Sequence, residues 1–270
     1  MNVLSAIFLG IIQGLTEFLP VSSSGHLVLS QYFLGLGESS DNVFEIFLHM
    51  GTLIAVVVYF RKMLWDMVIS MFHWSNNMDH QTHLHNRFLV LYLGISTLVT
   101  GIFYMLFSDF LESMFTKPLL VAIMLSVTGL IIFSSDFIKD RGVPAMSMGP
   151  MRSILIGLGQ GIAIIPGISR SGTTISLSVM SGIKRKDAAQ FSFLLSIPAI
   201  LGANISVIKD LSSLNHQQLY LYIAGFLAAF ISGYMVISLL IRLIQQSKLK
   251  YFAYYVWVVS LIAIVSLIIY

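Results

Sequence analysis

The chain has no cysteine and very few charged residues. Of its 270 residues, 10% are charged and 57% are hydrophobic, and the mean hydropathy is +0.87. The missing cysteine excludes disulfides and thiol chemistry, and soluble domains usually carry about 25% charged residues. The composition therefore predicts an all-α polytopic membrane protein. No Lys or Arg precedes Arg61. A signal peptide needs a basic start, so we expect the apolar N-terminus to belong to the mature structure.

Two polar motifs interrupt the apolar sequence, and they resemble each other. The first runs from Gln13 to His26 and the second from Gln160 to Thr173. In both, Gly-x-x-Gln-Gly is followed by apolar residues, a proline, a serine cluster and Ser-Gly. The two glutamines are 147 residues apart, and so are the two Ser-Gly pairs. A duplicated chain with a polar, Pro-broken segment in each half points to a site at the repeat interface.

Six stretches are long and apolar enough to cross about 30 Å of hydrocarbon as helices. Two further apolar regions, 3–35 and 152–182, contain the motifs, and Pro and Gly split each into two short helical halves. Neither half can span a bilayer alone, so each region is predicted to be a re-entrant hairpin covered by protein or water. The predicted spans are 43–60, 88–107, 119–138, 189–208, 219–241 and 251–270.

The basic residues predict the topology of these spans. If the spans alternate, twelve Lys and Arg fall on one side, in the loops 61–87 and 139–152, after the second hairpin, and between the last two spans. Only Lys117 and Lys209 fall on the other side. The basic side is therefore expected to be cytoplasmic, and this explains the net charge of +3 without a nucleic-acid partner.

The same topology makes the chain an inverted repeat. We predict one membrane domain over 1–270, with a first repeat of about 1–107, the span 119–138, and a second repeat of about 152–270. Counting 119–138 with the first half, each half has one hairpin and three spans. Three is an odd number, so the two halves have opposite orientations.

Small residues and histidines form two further patterns in the sequence. The pairs Gly10/Gly14 and Gly157/Gly161 form small-residue faces, and we expect them to pack the two hairpins together. Four histidines in the segment 73–86 could bind a metal, but their spacing favours a solvated cytoplasmic loop. They are His73, His80, His83 and His85.

The serines of both motifs lie where a new helix is predicted to begin. They could be simple N-caps. A helix N-terminus also presents free N–H groups and a positive dipole end to an anion. Two opposed hairpins would direct two such termini at one point, which predicts a phosphate or diphosphate site. The serines are Ser22, Ser23 and Ser24 in the first motif, and Ser169 and Ser171 in the second.

Arg170 is the most informative charged residue. A guanidinium inside an apolar segment costs several kcal/mol unless it is paired or hydrated. It can bind phosphate oxygens with two parallel hydrogen bonds, or it can form a structural ion pair with Glu17 or Glu45.

Carboxylates and imidazoles near the first motif supply the remaining chemistry. Glu17 could hold a divalent cation or act as a base, and His26 could transfer protons, attack phosphorus, or be structural. Glu45 and His49 share a helix face and could line the cavity or satisfy each other. Together with the serines and Arg170, these groups predict metal-assisted phosphoryl transfer on a lipid substrate.

The two motifs resemble the signature motifs of the undecaprenyl-diphosphate phosphatases, the bacitracin-resistance family. The likeness extends over essentially the whole chain, including Phe44-Glu45 and the run from Arg185 to Pro198. It implies a bacterial plasma (inner) membrane enzyme with six transmembrane helices and two re-entrant hairpins. Such an enzyme removes one phosphate from undecaprenyl diphosphate, recycles the carrier for peptidoglycan synthesis and confers bacitracin resistance. Its site would open toward the periplasmic face. We keep a homodimer as an expectation for its assembly.

The resemblance also implies roles for single residues. It implies a divalent cation, Mg²⁺ or Ca²⁺, held by Glu17 and Glu45, and it leaves open whether Ser23 or His26 attacks. The family often has Glu where this chain has Gln13, and a neutral amide cannot supply the same charge to a metal. The implied catalytic residues are Glu17, Ser23, His26 and Arg170, and the implied substrate contacts are Ser22, Ser24, Ser169, Ser171, Gly172 and Thr174.

Two other functions fit parts of the pattern. Inverted repeats with broken helices are typical of transporters, so a polyprenyl-phosphate transporter or flippase is the alternative. The motifs argue against pure transport, because Glu17 and His26 occur only in the first and Arg170 only in the second. An ion channel is disfavoured because a lone midplane arginine opposes cations.

Overall fold

The computed structural model describes residues 1–35, 42–72, 79–114, 117–138, 142–205, 216–246 and 248–269. These residues are almost entirely helical, with one short 3-10 helix at Ala145–Ser147 and one isolated β-bridge between Val143 and Ile183. The α-helices are α1 Val3–Phe18, α2 Ser23–Phe33, α3 Asn42–Tyr59, α4 Arg61–Phe72, α5 His80–Glu112, α6 Pro118–Asp136, α7 Gly149–Ile162, α8 Arg170–Met180, α9 Arg185–Ile205, α10 His216–Gln245 and α11 Leu249–Ile269.

Several of these helices are suited to a membrane. In the described ranges, α5, α6, α10 and α11 are long and apolar enough to cross a bilayer, and α3 with α4 forms a fifth candidate that is bent by 73°. The predicted all-α polytopic membrane class is thereby confirmed. α5 has 33 residues, so at 1.5 Å per residue it is about 50 Å long and extends beyond the hydrocarbon.

The predicted loop over 61–87 is wrong. α4 occupies its first part, and α5 already begins at His80. Asp79 caps α5 by accepting a hydrogen bond of 2.8 Å from the backbone N–H of Thr82, and its hydrogen bonds with Thr82 lower the pKa of the Asp79 carboxyl. His73 lies outside the described residues.

Each motif region forms two short helices joined by a turn, as predicted. Proline cannot continue a helix, and Pro20 and Pro166 both lie in these turns. Gly167 has a φ of 94°, and a Cβ there would lie 2.3 Å from the carbonyl oxygen of Val121. Ser22 has a φ of 69° and is the one non-glycine residue with a positive φ in the described part of the chain.

The glycine faces do not pack the hairpins against each other, so that prediction is wrong. α1 packs on α10 through Gly10 and Gly14, and α7 packs on α5 through Gly157 and Gly161. A Cβ on Gly14 would lie 2.0 Å from Ser232 Oγ. Close approach of helices at small residues is typical of membrane proteins. Here it places the first helix of each hairpin against a long helix of the other half.

A buried aromatic contact fixes the end of α1. Phe18 is fully buried, and its ring meets that of Phe193 on α9 edge to face with centroids 5.6 Å apart. Such pairs stabilise by about 0.5–1.5 kcal/mol beyond the burial of their area. The contact anchors the last turn of α1, where Glu17 lies, inside the apolar core.

Candidate active site at the tips of the two hairpins

Glu17 and Arg170 bring the two hairpins together. Glu17 lies in the last turn of α1, and Arg170 is the first residue of α8. Arg170 Nη2 donates a hydrogen bond of 2.5 Å to Glu17 Oε1. The Glu17 side chain is 6% exposed and that of Arg170 is 16% exposed. An unpaired charge that is buried to this extent is costly. The ion pair therefore lowers the free-energy cost of burying both side chains.

The second oxygen of Glu17 binds the first serine cluster. Ser23 Oγ donates to Glu17 Oε2 at 2.6 Å, and Gln13 Nε2 donates to the same oxygen at 2.9 Å. A hydroxyl that donates to a carboxylate has the geometry of a nucleophile beside its general base. The sequence prediction for Glu17, Ser23 and Arg170 as one cluster therefore agrees with the structure.

The start of α8 is held by its own serines. Ser169 is the N-cap, and its Oγ accepts a hydrogen bond of 3.0 Å from the N–H of Gly172. Ser171 Oγ donates at 2.9 Å to the carbonyl of Leu19 at the end of α1. Both serines are buried and bonded to protein groups. Ser169 is therefore an N-cap and Ser171 is not, and the contact of both serines with phosphate stays a prediction.

The remaining predicted substrate contacts also have protein partners. Thr174 is fully buried, and its Oγ1 lies 2.6 Å from Ser192 Oγ on α9. Ser22 Oγ accepts a hydrogen bond from the N–H of Gly25 at 3.2 Å. The Oγ atoms of Ser22 and Ser24 are 3.3 Å apart. These bonds hold the N-terminus of α2 and that of α8 in place, which is the preorganisation that an anion site requires.

His26 lies beside this cluster and makes its hydrogen bonds elsewhere. Nδ1 is 2.8 Å from the Ser22 carbonyl oxygen, and Nε2 is 3.0 Å from the Tyr255 hydroxyl on α11. A carbonyl only accepts, so Nδ1 carries a proton, and in the neutral ring Nε2 then accepts from the Tyr255 hydroxyl. The two rings are nearly parallel, with centroids 5.6 Å apart. Sequence reasoning missed Tyr255, which lies 229 residues from His26 in an ordinary apolar stretch.

Glu45 and His49 lie on α3, near the cluster of Glu17, Ser23 and Arg170. His49 Nδ1 bonds to the backbone carbonyl of Glu45 at 2.8 Å, which leaves Nε2 3.9 Å from Glu17 Oε2. The Glu45 carboxylate accepts from Gln31 Nε2 at 3.3 Å. The two side chains therefore do not pair through the Glu45 carboxylate, and His49 is directed toward Glu17.

Oxygen atoms dominate the groups that could hold a metal. Among the described residues, no three or more His, Asp or Glu side chains are grouped for a metal ion. Gln13 Oε1 is buried without a hydrogen-bond partner there. Glu17 accepts three hydrogen bonds of about four that a carboxylate can take. Mg²⁺ is often held by one or two carboxylates plus substrate phosphates, so these residues fit a hard cation.

Known proteins resemble the chain over nearly its full length. The model of the family described as "Bacitracin resistance protein BacA" matches residues 6–262. A protein named undecaprenyl-diphosphatase from Methanobrevibacter smithii is 42% identical over 97% of this chain and 96% of its own. One of the same name from Halothermothrix orenii is 40% identical over 98% of both. Undecaprenyl-diphosphatase 1 from Shouchella clausii is 38% identical over 98% of this chain and 96% of its own. The chain belongs to the BacA bacitracin-resistance family.

Proposed function

We propose that this chain is a membrane phosphatase that hydrolyses undecaprenyl diphosphate to undecaprenyl phosphate and phosphate. The observation that carries the proposal is the contact of Ser23 and Arg170 with the two oxygens of Glu17. Relatives named undecaprenyl-diphosphatase support the choice of substrate. The product is the lipid carrier for peptidoglycan precursors, and its regeneration would confer bacitracin resistance.

The reaction begins at Ser23. Its Oγ attacks the terminal phosphorus while its proton passes to Glu17 Oε2, 2.6 Å away. The bond from that phosphorus to the bridging oxygen breaks, and undecaprenyl phosphate leaves with the electron pair. Water then attacks the phosphoserine, phosphate departs, and Ser23 recovers its proton. His26 lies one turn after Ser23 on α2 and is our second proton-transfer group.

Arg170 and the helix termini stabilise the phosphates. Glu17 occupies one Nη2 donor of Arg170, and Nη1 bonds weakly to the Ser192 carbonyl at 3.4 Å. The guanidinium has five donors, so the others can bind phosphate oxygens. α8 begins at Arg170, and its positive dipole end adds to the same field.

We also propose a divalent cation, Mg²⁺ or Ca²⁺, as cofactor. Glu17, the free oxygen of Gln13, and Glu45 would hold it, together with oxygens of the substrate. When bound, the ion supplies positive charge to the diphosphate. The amide of Gln13 would contribute an oxygen ligand without the charge of a glutamate.

The membrane layout that we propose has six spans and two re-entrant hairpins in an inverted repeat. The reciprocal packing of α1 on α10 and α7 on α5 supports it, as does the placement of Lys and Arg. The site would open to the outer face of the plasma membrane.

Phosphate release tests the function directly. Purified protein in detergent should release phosphate from undecaprenyl diphosphate with Mg²⁺ or Ca²⁺, and EDTA should stop the release. If folded protein releases no phosphate with either cation, the proposal of a phosphatase is contradicted. Movement of undecaprenyl phosphate across liposomes would then support the transporter alternative.

A further inference from the structure

His49 of α3 presents a ring nitrogen to the carboxylate of Glu17. Its Nδ1 lies 2.8 Å from the backbone carbonyl oxygen of Glu45, one turn earlier on α3, and a carbonyl only accepts. Nδ1 therefore carries a proton, and in the neutral ring Nε2 has a free lone pair. Within the described ranges, Nε2 makes no hydrogen bond and lies 3.9 Å from Glu17 Oε2. Two electron-rich atoms thus face each other at the end of α1.

His26 shows how a ring with the same Nδ1 bond is ordinarily satisfied. Its Nδ1 also bonds to a carbonyl one turn earlier, that of Ser22 at 2.8 Å. Its Nε2 lies 3.0 Å from the Tyr255 hydroxyl, which supplies a proton to the neutral ring. The Nε2 of His49 faces a carboxylate, which has no proton to supply when it is ionised. The contact therefore needs a positive charge between the two atoms, either a proton on the ring or a metal ion.

The distance favours a metal ion over a proton. A charged imidazole that donates directly to a carboxylate lies about 2.7–2.9 Å from it, which is well short of the observed 3.9 Å. Cations such as Mg²⁺ and Zn²⁺ lie about 2.0–2.1 Å from oxygen and nitrogen ligands, so two ligands of one ion are about 3.0–4.2 Å apart. A metal-bound histidine also commonly donates its other N–H to a backbone carbonyl, as His49 does.

Gln13 supplies a third donor atom beside this pair. Its side chain is fully buried, and its Nε2 donates to Glu17 Oε2 at 2.9 Å. Its Oε1 has no hydrogen-bond partner in the described part of the chain, and such buried polar atoms are rare. A half-turn of the amide exchanges Nε2 and Oε1. The orphaned oxygen would then face the same cation as Glu17 Oε2.

Packing holds His49 in place and leaves its ring accessible. The preceding residue, Leu48, is fully buried in an apolar cluster with Ala6 and Leu9 of α1, and this contact sets the rotation of α3 about its axis. The His49 side chain is 29% exposed, whereas that of Glu17 is 6% exposed. A cation can therefore reach the buried carboxylate from the side of His49.

We propose that His49 is a nitrogen ligand of the divalent cation, together with the oxygen ligands Glu17 and Gln13. The proposal rests on the proposed function and adds a ligand that changes which cation the site prefers. Ca²⁺ takes oxygen ligands, whereas imidazole suits transition-metal ions. The site should therefore bind Mn²⁺ more tightly than Ca²⁺.

Pulsed EPR of bound Mn²⁺ tests the ligand without any turnover. Purified protein in detergent is loaded with Mn²⁺ alone, and with Mn²⁺ plus methylenediphosphonate, whose P–C–P bridge is not hydrolysed. We expect electron spin echo modulation from a directly bound imidazole nitrogen in the wild type. His49→Gln should lose this modulation. His26→Gln is the matched control and should keep it, because Nε2 of His26 already has a partner.

The affinities for two cations give a second measurement. His49→Gln replaces the imidazole by an amide whose oxygen suits Ca²⁺. The affinity for Mn²⁺ should fall at least about tenfold, and the affinity for Ca²⁺ should change by less than about twofold. Equal losses for both cations would overturn the proposal, because a nitrogen ligand must discriminate between them.

The outcomes separate this ligand from the proposed function. Nitrogen modulation in a protein that releases no phosphate would support His49 as a ligand and reject the phosphatase. Cation-dependent phosphate release without nitrogen modulation would keep the phosphatase and overturn the proposal for His49. Wild-type protein that binds no Mn²⁺, with or without methylenediphosphonate, would overturn it as well.

Discussion

Glu17 and Arg170, which are 153 residues apart in the chain, form a buried ion pair that joins the two hairpins. The same carboxylate accepts the hydroxyl of Ser23. One side chain therefore balances the charge of the second hairpin and, in the proposed reaction, activates a hydroxyl of the first. Stability and catalysis should respond together when either partner is changed.

Removing Arg170 alone should destabilise the protein. Arg170→Met leaves the buried Glu17 carboxylate without its guanidinium partner, and breaking a buried ion pair typically costs about 3–5 kcal/mol. The double variant Glu17→Gln/Arg170→Met removes both charges and should regain most of that loss while remaining inactive. Thermal unfolding in detergent measures both. A single variant as stable as the wild type would show that Glu17 has another charge partner.

Ser22 should be under backbone strain. Its φ of 69° is unfavourable for a residue with a Cβ, and its Oγ caps α2 by accepting from Gly25. Ser22→Ala keeps the strain and loses the cap, at a cost of about 0.5–2 kcal/mol. Ser22→Gly loses the cap but relieves the strain. The glycine variant should therefore unfold at the higher temperature, and the reverse order would rule out strain at this position.

The contact between α1 and α10 should not tolerate a single methyl group. A Cβ on Gly14 would lie 2.0 Å from Ser232 Oγ and 2.5 Å from the Ala229 carbonyl oxygen. Gly14→Ala should therefore reduce the free energy of unfolding by about 1–3 kcal/mol through overpacking. The melting temperature should fall accordingly. Gly94→Ala on α5 is the matched control, since a Cβ there meets nothing within 4 Å. That variant should stabilise slightly through its better helix propensity. Equal effects would mean that α1 does not pack on α10.

Tyr255 should support turnover by positioning His26. Tyr255→Phe keeps the ring beside His26 and removes the hydroxyl that bonds to Nε2. A neutral hydrogen bond is worth about 1 kcal/mol, so kcat/KM for undecaprenyl diphosphate should fall about fivefold. Tyr254→Phe, one residue earlier on α11, is the control and should match the wild type. If both variants turn over equally, the Tyr255 hydroxyl has no part in the reaction.

Local signals predicted the parts of the fold that depend on local chemistry. Pro20 and Pro166 mark the two turns because proline ends helices, and apolar length marks the long helices. The high cost of isolated charge in an apolar segment made an ion pair of Arg170 with Glu17 one of the expected alternatives, whereas Ser23 was placed at the site by its predicted helix start and by the family resemblance.

The contacts between helices that are distant in the chain could not be predicted from the sequence. The small faces at Gly14 and Gly161 show that a helix will approach closely, but they do not specify which helix. Tyr255 carries no local sign of its contact with His26, because an aromatic in an apolar stretch usually serves packing. The helix α4 was not predicted, because the basic residues at its start, from Arg61, are typical of a loop that follows a membrane span.

Phosphopeptide mapping after a rapid quench would show directly whether Ser23 is the nucleophile. Wild-type protein is mixed with undecaprenyl diphosphate, stopped in acid or in alkali within one turnover, and digested. We predict acid-stable phosphate on Ser23 that is absent from Ser23→Ala. Alkali-stable, acid-labile phosphate on His26 in the wild type would contradict it, because the Ser23 hydroxyl bonded to Glu17 would then not be the group that attacks.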